Sequence, residues 1–246
     1  HYAKTHFPLC CTAATNRLLP NYLTHLWMAT YEGGLAAVHY GPCKVSALVA
    51  DHVPVEMECR TDYPFDEVLD ISVKPAREAT FPLSFRVPGW CRDPQIALNG
   101  TAHAAAADAR GFVRIERLWK PGDVVLLRFP MTVSVRTGHD NNAEDTPYAS
   151  VSYGPLLFAL GIPDTTDANT SDEKFKWSYA LDVQEGTPGL GITVERRPMP
   201  AKWGWGLDSP LQLRVPALSF DWNPDARKAL EKNPVGPEDA SPFQPD

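Results

Sequence analysis

Apolar residues recur at helical spacing near the amino-terminal end of the chain. The pattern runs from residue 15 to about residue 31 and predicts an amphipathic helix that ends at Gly33-Gly34. The apolar positions are Leu18, Leu19, Tyr22, Leu23, Leu26 and Trp27. Pro20 suits only the first turn of a helix, so the helix is expected to start later than the pattern suggests. After it, residues 35–40 form a short apolar run typical of a buried strand.

From about residue 46, apolar and polar residues alternate, which is typical of half-buried antiparallel strands. The apolar sets are Val53, Val55, Met57 and Cys59, then Leu69, Ile71 and Val73, then Phe81, Leu83, Phe85 and Val87. Asn99-Gly100 predicts a tight turn, and Ala102 to Ala109 a loop. Further strands are predicted at 113–115, 124–129 and 133–135. Many short strands with frequent turns indicate a β-sandwich.

A second set of strand patterns follows the polar stretch at 139–145. Strands are predicted at 151–160, 177–183, 192–194 and 211–215. Residues 164–174 are polar and predict an exposed loop. From residue 223 the chain is rich in Pro, Asp, Glu and Lys, which predicts a mobile tail. The chain is therefore expected to be mainly β, with two antiparallel β-sandwich units in tandem.

Composition and charge exclude several classes of partner. The 246 residues are 43% hydrophobic with 24 prolines and 16 glycines, as expected of a folded protein rich in turns. The net charge is -7 and no Lys/Arg cluster occurs, which argues against nucleic acid or an anionic membrane as partner. No apolar run reaches the roughly 18 residues of a membrane-spanning helix. We expect a soluble protein and leave its compartment open.

Two adjacent thiols, Cys10 and Cys11, are the main candidates for chemistry. Consecutive Cα atoms lie about 3.8 Å apart, whereas a disulfide wants roughly 4.4 to 6.8 Å, so they are poor partners for each other. Three interpretations stay open: inert buried thiols, bridges to distant cysteines, or two ligands of one soft metal such as zinc. The other cysteines, Cys43, Cys59 and Cys91, have no CxxC spacing.

A set of short motifs follows one another along the chain. The motifs span most of residues 7 to 160. In chain order they are FPLCC at 7–11, NRLLP at 16–20, GLAAVHYGP at 34–42, TDYPF at 61–65, FPLSFRVPGWC at 81–91, NG at 99–100, WKPGD at 119–123 and YGPL at 153–156. In this order the motifs resemble those of beta-L-arabinofuranosidase-type glycoside hydrolases of family 127, and their common order is more specific than any one of them.

The resemblance implies a retaining glycosidase with a zinc-bound cysteine thiolate as nucleophile. By this analogy Cys10 is nucleophile and zinc ligand, and Cys11 is a second ligand. The acid/base glutamate and the other zinc ligands, a glutamate and a cysteine, are expected upstream of this chain. We therefore expect a carboxyl-terminal part of a longer enzyme, inactive in isolation, whose partners are a carbohydrate substrate and the missing amino-terminal catalytic region.

The resemblance and the residue patterns together divide the chain into four segments. Residues 1–47 would be the end of the catalytic domain, a short helical remnant of an (α/α) barrel, and its apolar face would be left uncovered. Residues 48–137 and 138–223 would be the first and second β-sandwich domains, and residues 224–246 a flexible tail. The oligomeric state stays open.

A second hypothesis belongs to a different class: a noncatalytic β-sandwich accessory or carbohydrate-binding module. Tryptophans offer flat faces on which sugars stack, although in sandwiches they more often pack in the core or at its edge. The candidates are Trp90, Trp119, Trp177, Trp203, Trp205 and Trp222.

Overall fold

The computed structural model describes residues 9–139, 147–160, 179–182, 191–200 and 209–219; side chains are described from residue 17 onward within these ranges, except at 147 and 219. Within them the chain forms one helix and a series of short strands, and it is mostly β. The elements are α1 (Leu9–Thr24), β1 (Trp27–Ala29), β2 (Leu35–Ala37), β3 (Cys43–Val49), β4 (Val53–Arg60), β5 (Val68–Pro75), β6 (Ala79–Arg86), β7 (Gln95–Leu98), β8 (Thr101–His103), β9 (Phe112–Trp119), β10 (Asp123–Arg128), β11 (Val133–His139), β12 (Pro147–Tyr153), β13 (Leu156–Phe158), β14 (Tyr179–Leu181), β15 (Thr193–Arg196), β16 (Leu211–Arg214) and β17 (Ala217–Ser219).

The predicted helix exists, but both of its predicted ends are wrong. It runs over Leu9–Thr24, so Pro20 lies inside it rather than in its first turn. It ends before Leu26 because that carbonyl accepts hydrogen bonds from the amides of Val38 and His39, at 2.9 and 3.2 Å. Pairing with a distant segment therefore overrides the helical periodicity of residues 25–31.

The chain divides into two compact units, His1–Pro130 and Met131–Asp246. The first contains a four-stranded sheet in the order β1-β2-β6-β9 and a six-stranded sheet in the order β3-β4-β5-β10-β7-β8. All neighbouring strands are antiparallel except β2 and β6, which are parallel. The predicted turn at Asn99-Gly100 is confirmed: both residues have positive φ and join β7 to β8.

The core of the first unit is built from the inward-facing residues of both sheets. In β4 every second residue is buried, from Val53 to Cys59, as the alternating pattern predicted. The largest fully buried side chain is Trp119, whose Nε1 donates a 2.9 Å hydrogen bond to the Phe81 carbonyl. Burying an aromatic side chain contributes roughly 1.5 to 3 kcal/mol, and the bond satisfies its one polar group. The two sheets therefore form a β-sandwich.

Gly34 allows β2 to approach β6. A Cβ at this position would lie 2.1 Å from the Pro82 carbonyl oxygen, closer than any real contact. The parallel pairing of Leu35 with Leu83 begins at the next residue. A side chain at residue 34 would therefore push β2 away from its sheet.

In the second unit, the described residues form three small antiparallel sheets. They are β11-β12-β13, β14-β17 and β15-β16. The single strand predicted at 151–160 is instead part of a hairpin, because Gly154, with φ of 55°, turns the chain between β12 and β13. The Arg196 guanidinium lies over the Tyr153 ring and donates a 3.1 Å hydrogen bond to its hydroxyl.

Several predictions fall on residues outside the described ranges. These include the loop at 164–174 and the tail from residue 223. The division into segments 1–47, 48–137, 138–223 and 224–246 stays a prediction, as does the origin of α1 in a helical barrel. Among the described residues, no helix has the length and apolar character needed to cross a membrane.

Candidate functional site

The paired cysteines lie in the first turn of α1. Cys10 and Cys11 follow Leu9, the first helical residue, and their side chains lie outside the described part of the structure. Backbone amides at a helix start carry partial positive charge and favour a thiolate over a thiol. Their position in the fold is therefore suited to thiolate chemistry.

Tyr22 connects the carboxyl-terminal half of α1 to the rest of the first unit. Its hydroxyl donates a 2.9 Å hydrogen bond to the Tyr40 carbonyl, and its ring lies 5.2 Å from that of His39. On the same helix Leu18, Leu19 and Leu23 expose 66%, 59% and 60% of their surface. The expectation that an apolar helix face is left uncovered is confirmed for these residues.

A cleft of about 160 Å³ opens beside Tyr22. It is lined by residues from α1, from the segment after β2, from the loop after β4 and from the end of β6 with the loop that follows. The lining residues are Tyr22, Val38, His39, Tyr40, Tyr63, Arg86, Pro88, Gly89 and Trp90. Three of the sequence motifs, at 34–42, 61–65 and 81–91, therefore meet at one place.

Aromatic packing fixes the floor of this cleft. The Tyr40 ring lies 6.0 Å from Tyr63 in an edge-to-face arrangement and 5.2 Å from Phe129. Trp90 contacts Phe129 from another side, with ring centroids 6.4 Å apart. The Tyr40 hydroxyl donates a 2.7 Å hydrogen bond to the Arg86 carbonyl. Edge-to-face aromatic pairs add roughly 0.5 to 1.5 kcal/mol beyond area burial, so the floor is rigid.

The tyrosines of the cleft stay neutral at physiological pH. Burial and the nearby Tyr22 together raise the pKa of Tyr63 to about 12, against the opposing effect of a hydrogen bond from Trp90. Burial also raises the pKa of Tyr22, and raises that of Tyr40 well above its ordinary value. The cleft therefore offers neutral hydroxyls and aromatic edges beside the exposed Arg86, a combination that suits a polar, uncharged ligand.

The tryptophans that were candidates for sugar stacking lie in different environments. Trp90 lines the cleft and is partly exposed. Trp119 is fully buried, so it packs in the core. Trp177, Trp203, Trp205 and Trp222 lie outside the described residues.

The remaining thiols lie in the first unit, and two of them form a pair. Cys43 and Cys59 are directly opposed in the antiparallel register of β3 and β4. The Cys59 thiol donates a hydrogen bond to the Cys43 sulfur, which lowers the pKa of Cys43 to about 7 and raises that of Cys59. Cys91 is buried and its pKa is raised by that burial. Among the described residues, no three His, Cys, Asp or Glu side chains are grouped to hold a metal.

The motifs at 99–100 and 119–123 have a structural role, because their side chains and backbone hydrogen-bond to each other. The Asn99 amide nitrogen donates to Asp123 Oδ1 at 2.9 Å, and the Val124 amide donates to Asn99 Oδ1 at 2.8 Å. The buried Asp123 carboxylate also accepts from the Lys120 amide at 3.0 Å and lies 3.7 Å from Arg117 Nη2. These contacts fasten the β7–β8 turn to the start of β10.

A second concave surface, of about 180 Å³, lies on the outward face of β3, β4 and β5. Charged side chains such as Lys44 and Glu58 line it, and these two form a 3.6 Å ion pair. Two side-chain oxygens on this face of β5, Ser72 Oγ and Asp70 Oδ1, are buried without a hydrogen-bond partner. It contains no aromatic side chain, whereas the motif-lined cleft is rich in them.

A family comparison decides how the first unit is classified. Residues 34–131 match the family model described as the GH127 middle domain of beta-L-arabinofuranosidase. The match extends from Gly34, just before β2, to Met131, three residues after β10, so it covers every strand of the sandwich except β1. The first unit is similar to the GH127 middle domain. The match contains the cleft motifs, whereas Cys10 and Cys11 precede it.

Solved structures share the same fold. A GH127 beta-L-arabinofuranosidase from Geobacillus stearothermophilus T6 aligns over 85% of this chain, with a TM-score of 0.60 and 22% identity. A structure described as a GH127 beta-arabinofuranosidase aligns over 88%, with a TM-score of 0.63 and 19% identity. A third, described as a glycoside hydrolase, aligns over 85%, with a TM-score of 0.57 and 24% identity.

The chain spans about a third of each of these structures, 33%, 33% and 35% of their lengths. No curated protein is matched. At these identities the likeness shows a common fold, and the GH127-like mainly β architecture expected from the motifs is confirmed.

Sequence reasoning missed the cleft as a site. Tyr22, His39, Tyr40, Tyr63 and Arg86 were recognised only as motif or helix residues. The signal was nevertheless present, because three motifs without an evident catalytic group each contributed an aromatic residue. Aromatic residues in separate loops, outside the alternating strand pattern, are candidates for a shared surface.

Proposed function

We propose that this chain is the carboxyl-terminal part of a retaining glycoside hydrolase, beta-L-arabinofuranosidase-like, that uses a zinc-bound cysteine thiolate as nucleophile. The observation that supports this most directly is the match of residues 34–131 to the GH127 middle domain, preceded by two adjacent cysteines at a helix start. The substrate would be a carbohydrate with a terminal L-arabinofuranosyl group or a related sugar.

The donor chemistry of Cys10 and Cys11 fits zinc. Thiolates are soft ligands that zinc prefers, and protein zinc sites take three or four protein ligands. These two thiols would supply half of such a set, with a glutamate and a further cysteine expected from the upstream region. Bound zinc would keep both sulfurs deprotonated at neutral pH, where a free thiol with a pKa near 8.5 is mostly protonated.

Cys10 would act as the nucleophile. Its sulfur would attack the anomeric carbon while a glutamate from the upstream region protonates the departing oxygen. Water, activated by the same glutamate, would then attack the anomeric carbon from the face that the departing group left, opposite the sulfur, so that two inversions retain the configuration. Two thiols without the upstream glutamates do not complete this set, and we expect the isolated chain to be inactive.

The aromatic cleft would contribute to sugar contact rather than bond cleavage. Its tyrosine hydroxyls and the Arg86 side chain can hydrogen-bond sugar hydroxyls, and Trp90 offers a partly exposed aromatic face. This observation also favours the second candidate function, a noncatalytic carbohydrate-binding module. That function would need the cleft alone, without Cys10 or Cys11.

Activity on aryl beta-L-arabinofuranosides separates the two candidates. The longest natural form of the protein is compared with its Cys10→Ala variant and with Cys91→Ala, a matched removal of a thiol outside the proposed site. Hydrolysis with retained configuration, lost at least about a thousandfold in Cys10→Ala and kept in Cys91→Ala, supports the enzyme. Equal activity in all three forms would exclude Cys10 as nucleophile. Binding of arabinosides without hydrolysis, weakened by Trp90→Ala, would support the binding module instead.

A further inference from the structure

The opposed pair Cys43 and Cys59 has the backbone geometry that a disulfide needs. Directly opposed residues of antiparallel strands have Cα atoms about 4.5 to 5.5 Å apart. An ordinary disulfide accepts roughly 4.4 to 6.8 Å. The register of β3 and β4 places the two cysteines opposite each other at the end of the ladder, and both are free thiols. A bond between them needs no change of strand pairing.

The two thiols also influence each other, because a hydrogen bond from Cys59 lowers the pKa of Cys43 and raises that of Cys59. Trp27 also donates a hydrogen bond to the Cys43 sulfur. A sulfur that accepts two side-chain hydrogen bonds is held as a thiolate more readily than an ordinary thiol. Cys43 is therefore the nucleophilic member of the pair.

The two thiols differ in access. Cys43 is partly exposed, whereas Cys59 is only 5% exposed. A reagent in solution can therefore reach Cys43 first. Cys59 is placed to react with whatever forms on Cys43.

We propose that Cys43 and Cys59 are a redox-sensitive site, which forms a cross-strand disulfide by exchange with a low-molecular-weight disulfide such as oxidised glutathione. The Cys43 thiolate attacks one sulfur of the reagent, forms a mixed disulfide and releases one thiol. Cys59 then gives its proton to solvent, attacks the Cys43 sulfur and releases the second thiol. The two protein thiols are oxidised, and one reagent disulfide is reduced to two thiols.

The bond would act on the cleft, because each strand leads to a cleft tyrosine. Tyr40 lies three residues before Cys43, and Tyr63 lies four residues after Cys59. Cys59 is also close enough to Tyr40 to influence its ionisation. A disulfide would fasten together the two segments that carry these rings. This inference is independent of the zinc site and of any activity.

Tryptic mapping tests the proposal on the full chain. Trypsin separates the cysteines cleanly: Cys43 lies in peptide 18–44, Cys59 in 45–60, Cys91 in 87–92, and the pair Cys10-Cys11 in 5–17. The folded chain is equilibrated in oxidised or reduced glutathione, quenched with acid, alkylated and digested. We expect peptides 18–44 and 45–60 to be joined, with the loss of two hydrogens, in oxidised buffer only.

Single variants test the order of events. In Cys59→Ser, the glutathione adduct should accumulate on Cys43, because the resolving thiol is gone. In Cys43→Ser, Cys59 should stay unmodified while the protein is folded. Cys91→Ser should form the 18–44 to 45–60 link as the unaltered chain does. A stable glutathione adduct on Cys43 of the unaltered chain without the link, or a link that forms only after unfolding in urea, would overturn the proposal.

Discussion

At the scale of single residues, the buried polar side chains of the first unit differ in whether they have hydrogen-bond partners. Asp123 is 8% exposed, yet its carboxylate is satisfied by Asn99, the Lys120 amide and Arg117. Ser72 is 4% exposed and its hydroxyl has no partner. A buried polar group with partners stabilises a fold, whereas one without them costs free energy. Asp123 therefore belongs to the framework of the sandwich rather than to a catalytic centre.

Replacing Asp123 tests this assignment. Asp123→Ala should lower the free energy of unfolding by about 1 to 3 kcal/mol, because it leaves the Lys120 amide and the Asn99 side chain without their acceptor. Urea unfolding followed by tryptophan fluorescence measures the change. The exposed Asp93→Ala is the control and should change stability by less than about 0.5 kcal/mol. Equal stability of the two variants would show that the Asp123 contacts contribute nothing.

Cys43 should be unusually reactive at neutral pH. The hydrogen bond from Cys59 lowers the pKa of Cys43 to about 7, so its thiolate is present above that pH and is lost as pH falls through it. Burial raises the pKa of Cys91, so its thiolate forms only at higher pH. The rate of iodoacetamide labelling, read from peptides 18–44 and 87–92, should level off at lower pH for Cys43. Superimposed pH profiles for the two cysteines would contradict this.

At the scale of elements, some helix and strand ends depend on close backbone contacts and on pairing between segments that are distant in sequence. Such contacts leave no periodic pattern of apolar residues. Strands β4, β5, β6, β9 and β10 could be predicted from alternating residues, because burial of one sheet face leaves a signal of period two. The β7–β8 turn could be predicted from Asn99-Gly100, but β7 was missed, and the loop predicted at 102–109 is wrong at its start, where β8 pairs with β7. The end of α1 could not be predicted, since it depends on Leu26 pairing with the segment after β2. The hairpin at Gly154 was missed because apolar residues lie on both sides of its turn.

Gly34 tests the importance of close approach. Gly34→Ala places a Cβ 2.1 Å from the Pro82 carbonyl oxygen, and we expect a loss of about 1 to 3 kcal/mol as β2 shifts away. Gly41→Ala is a matched control, because a Cβ there meets no atom within 4 Å. Thermal unfolding by circular dichroism should show a lower Tm for the first variant and an unchanged one for the second. Similar Tm values would mean that β2 adapts without cost.

The exposed face of α1 offers a test at the same scale. Leu18→Gln with Leu23→Gln should increase the solubility of this chain with little change in stability, because both side chains are largely exposed. In the longest natural form, where we expect upstream helices to cover this face, the same double variant should destabilise the protein by about 2 kcal/mol or more. Solubility and Tm are measured for this chain and for the longest natural form, each with and without the double substitution. An unchanged Tm in the longer form would show that this face is not covered.

At the scale of the whole molecule, the sequence predicted more of the fold than of the candidate site. The motifs placed the chain in a GH127-like architecture because residues such as Gly34, Asn99 and Asp123 serve the sandwich itself. The cleft could not be predicted, because its walls come from four separate segments whose meeting depends on strand order. The opposition of Cys43 and Cys59 depends on the register around the β3–β4 turn, which sequence alone leaves open.

The most direct test of the account is the zinc content of the longest natural form of the protein. Elemental analysis is made on the unaltered protein, Cys10→Ala and Cys11→Ala, with Cys91→Ala as the control. The account predicts about one zinc per chain, in line with a site of three or four ligands, lost from both helix variants and retained in the control. Absence of zinc from the unaltered protein, or equal zinc in all four proteins, would contradict it and leave Cys10 and Cys11 as packing residues.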